Sequence, residues 1–149
     1  MFKTNIGAIF LSLSLAFLSQ HTIAADATDY YLHAQSGVDL SSKTLSGGFI
    51  YGYYPWDEFG LGFSYDQSKS YSALGIDTRW SIEPFEVYMI FNEAFWSEKG
   101  GHWFTMFQLG TNYLFALSPS LSAYLQVKGI FPEQRTRSLL LGLGIRSLF

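Results

Sequence analysis

The sequence predicts an all-β protein: an eight-stranded antiparallel up-and-down transmembrane β-barrel, preceded by a cleaved signal peptide. Three observations lead there. Aromatic residues make up 19% of the chain and charged residues only 14%, whereas about 25% charged is usual for a soluble domain. After the amino-terminal segment no apolar run approaches the ~20 residues of a spanning helix, which leaves a closed barrel to satisfy every backbone group inside lipid. The rest of the chain divides into segments of about ten residues with period-two alternation, separated by turn residues.

The opening segment MFKTNIGAIFLSLSLAFLSQHTIAA has one basic residue, Lys3, an apolar run over 6–18, and small residues ending in Ala24 and Ala25. That is the layout of a signal peptide. Ser12, Ser14 and Ser19 dilute the apolar run, which is too short for a membrane anchor. Cleavage after Ala24 makes residues 1–24 the signal and 25–149 one barrel domain. The chain has no cysteine, hence neither a lipid-anchoring thiol nor a disulfide framework.

Each strand segment sorts its residues onto two faces. In 30–40, Tyr30, Leu32, Ala34, Val38 and Leu40 oppose Tyr31, His33, Gln35 and Asp39. In 45–54, Leu45, Phe49, Tyr51 and Tyr53 oppose Ser46, Gly48 and Gly52, and Pro55 to Glu58 reads as a turn. In 59–68, Phe59, Leu61, Phe63 and Tyr65 oppose Gly60, Gly62, Ser64 and Asp66. In 71–80, Leu74, Ile76, Thr78 and Trp80 oppose Gly75, Asp77 and Arg79, with a turn at 81–84. In 85–95, Phe85, Val87, Met89 and Phe91 oppose Glu86, Tyr88 and Asn92. In 103–115, Trp103, Phe107, Leu109, Tyr113 and Phe115 oppose Gln108, Gly110 and Asn112, and a turn over 118–120 follows. In 121–131, Leu121, Ala123, Leu125 and Val127 oppose Ser122, Tyr124, Gln126 and Lys128. In 138–149, Leu139, Leu141, Leu143, Ile145 and Phe149 oppose Gly142, Gly144 and Arg146.

A soluble lipocalin-type barrel or a sandwich would alternate equally well, with the faces reversed. The ionisable residues decide between them. Asp39, Asp66, Asp77, Arg79, Glu86, Lys128 and Arg146 all fall opposite the bulky aliphatics, and a basic residue at the lipid midplane costs about 2–4 kcal/mol. Glu93 is the exception and is placed at the outer rim.

The carboxyl-terminal LLLGLGIRSLF ends on Phe149, with Ile145, Leu143 and Leu141 at alternate positions before it. It resembles the terminal signal read by the outer-membrane barrel assembly machinery, with Ser147 where a hydrophobic residue is commoner. GYYPWDEFGLGFSY and NYLFALSPSLSAYLQV are similar to the strand, tight turn, strand units of small outer-membrane barrels of the OmpA and OmpX kind. This resemblance implies location in the outer membrane of a Gram-negative bacterium, both termini in the periplasm, tight periplasmic turns and outward-facing loops. With no peptidoglycan-binding domain after the barrel, that role of larger relatives is not expected.

On this layout the outward loops are 41–44, 69–70, 97–102 and 132–137, all short. They hold Lys43, Lys69, Lys99, Arg135 and Arg137, whereas the periplasmic turns hold Asp57, Glu58 and Glu83. The five rim cations are candidate contacts for phosphates of lipopolysaccharide. The lumen of so narrow a barrel has room for side chains and little else. A packed polar core is expected, with Arg79 and Arg146 near the periplasmic end beside Glu86 and Asp77, and Lys128 nearer the outer end beside Asp66 or Asp39.

The small outer-membrane deacylase offers an enzyme reading, but its His-x-Ser pairing is absent: Ala34 and Gln35 follow His33, and Trp103 and Phe104 follow His102. No nucleophile and base are named, no cofactor or metal is expected, and His102 reads as part of a solvated loop. Loss of Lys3 with the signal leaves eight basic residues against twelve acidic ones, which offers nucleic acid no footprint. The exposed Trp96 and Trp103 read as interfacial girdle. The expectation is a compact monomeric barrel, without an open pore, in a structural or envelope-maintaining role; surface adhesion or ligand contact is the alternative, and a lipid A-modifying hydrolase a more distant one.

Overall fold

The computed structural model describes residues 30–96, 101–133 and 136–149. The signal peptide, Lys99 and Arg135 lie outside the described residues. Eight strands follow in order: β1 Tyr30–Asp39, β2 Thr44–Trp56, β3 Phe59–Ser68, β4 Tyr71–Ile82, β5 Phe85–Trp96, β6 His102–Ser118, β7 Leu121–Pro132 and β8 Ser138–Leu148. Each pairs antiparallel with its sequence neighbour, and β8 returns to β1 to close the barrel. Closure leaves no unpaired sheet edge, the condition for crossing lipid as β-structure. Tyr30 and Phe149 exchange backbone hydrogen bonds of 3.0 and 3.1 Å. The rim they share is called here the terminal rim, and the opposite one the far rim.

Three turns are tighter than the sequence suggests. Pro55 and Trp56 belong to β2, not to a turn, and only Asp57 and Glu58 connect it to β3. Proline has no N–H for the ladder and is accommodated at a bulge: the β2–β3 register shifts between Tyr53 and Trp56, after which Trp56 pairs with Phe59. Ser81 and Ile82 likewise extend β4 against Glu86 and Phe85. β6 is the longest strand at 17 residues, with a register shift between Ala116 and Ser118. His102 opens β6 opposite Trp96 and is therefore not a loop residue.

The faces are those of a transmembrane barrel. Phe63 is 72% exposed and Leu45 73%, whereas Arg79, Asp77 and Glu86 are wholly buried. A lipocalin would show the reverse, and a water-soluble surface would not carry apolar side chains around its whole girth. The lumen is not uniformly polar, however. Ala73, Ala94, Phe104, Met106, Ile130 and Leu140 form an apolar plug towards the far rim, with Tyr71 and Trp96 packed on it. Trp96 is thus half-buried and faces inward, so it is not part of the girdle; Trp103 is. Tyr31, Ile50, Tyr88 and Ile90 form a second apolar cluster inside.

Small and large side chains alternate across the lumen wall. Tyr31 pairs with Gly52, Tyr88 with Gly110 and Tyr124 with Gly144. A Cβ on any of these glycines would meet the paired tyrosine ring. Glycine there lets the ring lie against the opposing backbone, which is how eight strands enclose three tyrosines and two arginines.

Candidate functional site

Nearest the terminal rim, the lumen is organised around two arginines. Asp77 and Arg79 are two residues apart on β4 and so share the inner face. Arg79 Nε donates to Asp77 Oδ2 at 2.7 Å and Nη2 to Oδ1 at 2.9 Å, the two-pronged pairing that a planar guanidinium makes with a carboxylate. Its Nη1 donates to Glu86 Oε2 at 3.2 Å and to His33 Nε2 at 2.7 Å. A guanidinium has donors only, so the imidazole accepts at that nitrogen. The cation also lies over the Tyr31 ring, 4.8 Å from its centroid, and Tyr31 donates its hydroxyl to Asp77 at 2.9 Å.

Arg146, from β8, donates to Glu86 Oε1 at 3.0 Å and to Glu83 Oε1 at 2.8 Å. Asn112 donates to Glu86 Oε2 at 3.0 Å. Glu86 thus joins both arginines, and Glu83, from the β4–β5 turn, completes the set at the rim.

A second cluster, centred on Asp66, lies between this network and the far-rim plug. Asp66 accepts from Gln108 at 3.0 Å, from Gln35 at 3.2 Å and from Lys128 at 3.5 Å. Gln126 donates to Gln35 at 2.7 Å and to Asn112 at 3.4 Å, linking the two clusters. Asp39 stands apart from both. Its Oδ1 accepts from the backbone N–H groups of Ser41 and Ser42 at 2.8 and 3.1 Å, the local turn chemistry of an aspartate at a strand end. Of the two candidate partners for Lys128, the structure places Asp66 beside it.

The seven charged residues assigned to the lumen from the sequence therefore separate into Asp77, Arg79, Glu86 and Arg146, then Asp66 and Lys128, then Asp39 alone. The sequence reading did not join His33, Gln35, Gln108, Asn112, Gln126 or Glu83 to these groups. The first five could have been found from strand parity, since all occupy the inner face; Glu83 could not, because it reads as turn.

At the far rim the lumen opens into a cup of about 700 Å³ above the plug. Tyr71, Trp96, Phe104 and Met106 face it from below, and Ser41, Thr44, Ser70 and Ser138 from the sides. His102 and Phe104 have ring centroids 6.4 Å apart. Lys43 and Lys69 stand exposed at separate loops of this rim, and the Arg137 guanidinium lies 5.8 Å from the centroid of the Phe131 ring. Lys43 has φ 55°, in the left-handed region. Glu93 is exposed on the outer face of β5, three residues before the strand's far end, and accepts from Thr105 Oγ1 at 3.5 Å. Among the described residues no group of three or more His, Asp or Glu is placed to hold a metal.

At the terminal rim the Phe149 ring stacks near Tyr30 and Tyr51, with centroids 6.3 and 6.1 Å apart. Leu143 and Ile145 lie on the outer face of β8.

No protein-family model matches the chain, and no curated protein matches its sequence. Solved structures do match its fold. The N-terminal β-barrel domain of Pseudomonas aeruginosa OprF superposes with a TM-score of 0.66 at 17% identity, covering 83% of this chain and 98% of that one. Neisserial surface protein A gives a TM-score of 0.56 at 16% identity, covering 80% of this chain and 97% of that one. A transmembrane β-barrel designed de novo gives 0.57 at 13% identity, covering 85% and 100%. At such identities the likeness lies in the backbone architecture.

Proposed function

We propose that this chain is a small integral outer-membrane β-barrel protein that acts as a monomer in a structural, envelope-maintaining role. The observation that carries the reading is the inversion of faces: paired charges inside, aliphatic and aromatic side chains outside around the whole barrel. The fold shared with the OprF barrel domain and with neisserial surface protein A supports the location. On this reading the termini face the periplasm, the far rim faces outward, and the Phe149, Ile145 and Leu143 pattern is what the assembly machinery engages. The lumen is filled by the two polar clusters and the apolar plug, which supports a packed interior over an open pore. We assign no catalysis: His33 is engaged by Arg79, and His102 sits beside Phe104.

The test is expression of the full chain in a Gram-negative host, envelope fractionation, and electrophoresis of the outer-membrane fraction with and without heating. A signal-cleaved band whose mobility shifts on heating is expected. A soluble periplasmic product with no shift would refute the proposal.

Lipopolysaccharide is the proposed rim partner, through Lys43, Lys69 and Arg137, with Lys99 and Arg135 from outside the described residues. Each exposed pair contributes only about 0–1 kcal/mol, so the effect must be collective. Neutralising all five is expected to weaken the dependence of folding on lipopolysaccharide; unchanged dependence would exclude the contact. The cup favours surface ligand contact as a second reading, because its size and mixed lining fit a small-molecule site.

A further inference from the structure

The β2–β3 turn at the terminal rim follows a bulge, as the β6–β7 turn does, but differs from the other two turns on that side in the rings and charges it presents. Tyr53 points outward, so plain alternation would turn Trp56 inward; the bulge between them reverses this, and Trp56 emerges 68% exposed. Re-aiming a side chain is a recognised use of a bulge. Trp56 lies 5.5 Å from Phe59, and Phe59 lies 5.0 Å from Trp80, centroid to centroid, at tilts of 45° and 59°. Asp57 and Glu58 complete the same notch. The Glu58 carbonyl accepts from Ser81 N–H at 2.8 Å, which fixes the turn beside the strand that carries Trp80.

The two carboxylates are unspent. Neither Asp57 nor Glu58 has a side-chain hydrogen bond or ion pair with any described residue, whereas Glu83, in the next turn, is neutralised by Arg146 at 2.8 Å. The third turn, Pro119 and Ser120, carries no charge. Two free carboxylates against three ring surfaces repel anions and attract a cation that can both sit on a ring face and donate hydrogen bonds. A girdle serving only to anchor the barrel in the interface needs the rings and not the acids.

We propose that this notch is a binding site for the primary ammonium headgroup of a zwitterionic phospholipid, phosphatidylethanolamine in chemical class, from the surrounding leaflet. A primary ammonium uses both features, its N–H groups donating to Asp57 and Glu58 while its charge lies over the Trp56 and Trp80 rings. A quaternary headgroup has no N–H to donate, and a phosphatidylglycerol headgroup brings net negative charge towards two carboxylates. The site rests on the membrane reading above.

The experiment is native mass spectrometry of the full protein in detergent, with phosphatidylethanolamine, phosphatidylcholine and phosphatidylglycerol of identical acyl chains added at equal concentration. Phosphatidylethanolamine adducts are expected to exceed each of the others by roughly 1.5- to fivefold, the factor that an exposed hydrogen-bonded ion pair to the two carboxylates carries. The preference should vanish in Asp57→Asn/Glu58→Gln, and the phosphatidylethanolamine adducts themselves should weaken in Trp56→Leu. Equal or better retention of either other lipid, or a preference that survives in the Asp57→Asn/Glu58→Gln double variant, would overturn the site. Heat-shifted mobility, measured on the same preparations, reports separately on the barrel, so loss of lipid selectivity and failure of the membrane reading give different results.

Discussion

A guanidinium sealed inside a barrel has to be neutralised where it stands, and Arg79 is held from three strands at once: the carboxylates of Asp77 on its own strand and Glu86 on the next neutralise it, and from β1 His33 accepts a hydrogen bond while the Tyr31 ring lies against the cation. Removing one partner from such a set leaves an uncompensated buried charge, at a cost of about 3–5 kcal/mol. Arg79→Ala leaves the Asp77 carboxylate without a cation, held only by the Tyr31 hydroxyl, and leaves Glu86 to Arg146 and Asn112. The urea midpoint for unfolding from phospholipid vesicles is expected to fall by an amount in that range, and a loss below about 1 kcal/mol would mean the cluster is hydrated and not sealed. Tyr88 gives the opposite sign. Its hydroxyl is buried without a partner among the described residues, and a buried polar group left unsatisfied costs about 1–3 kcal/mol. Tyr88→Phe keeps the ring over Gly110 and should leave stability unchanged or raised in the same assay; a clear loss would show that the hydroxyl is satisfied in the membrane.

At the scale of paired strands, the glycine and tyrosine couples set how tightly the wall closes. A Cβ at Gly110 would overlap the Tyr88 ring, and forcing volume into a filled core costs about 1–3 kcal/mol. Gly110→Ala should destabilise by that amount, and Tyr88→Leu in the same molecule should return part of it. A double-mutant cycle reads the coupling, and strict additivity would mean that the two residues do not share the space. The tyrosine, glycine and strand assignments were legible from period two alone, because one face is lipid-like and a slip of one residue would exchange the faces. What period two could not reveal was the bulge at Pro55. A single inserted residue reverses parity downstream, so Trp56 reads as turn in the sequence and is an outward-facing strand residue in the fold. Trp96 was missed for a related reason: it extends β5 one residue beyond the segment read as strand, and the next position in the alternation faces inward. The apolar plug escaped notice because alternation assigns a face but not a height. Inward Phe104 and Met106 belong to the polar face by parity and to the far rim by register.

For the whole barrel, the faces and the depth of each residue together make one quantitative expectation. Phe91 lies near the middle of β5, pairs with Ile76 and Phe107, and is exposed on the outer face. Phe95 points the same way from near the far rim. A lipid-facing basic residue costs about 2–4 kcal/mol at the bilayer midplane and about 0–1 kcal/mol at the interface. Phe91→Arg should therefore destabilise strongly and Phe95→Arg weakly, measured as unfolding free energies from vesicles of one composition. Lost aromatic packing is common to both, since Phe91 contacts Phe107 and Phe95 contacts Trp103 at similar ring separations of 5.0 and 5.3 Å. The difference between the variants thus isolates depth. Equal costs would place both residues in one environment, contrary to a barrel that crosses the bilayer along its strands, whereas a gap of about 2 kcal/mol or more would locate the midplane at Phe91. The far-rim cup would then lie above the lipid and the β2–β3 notch in the opposite interface, where an ammonium headgroup can reach Asp57 and Glu58.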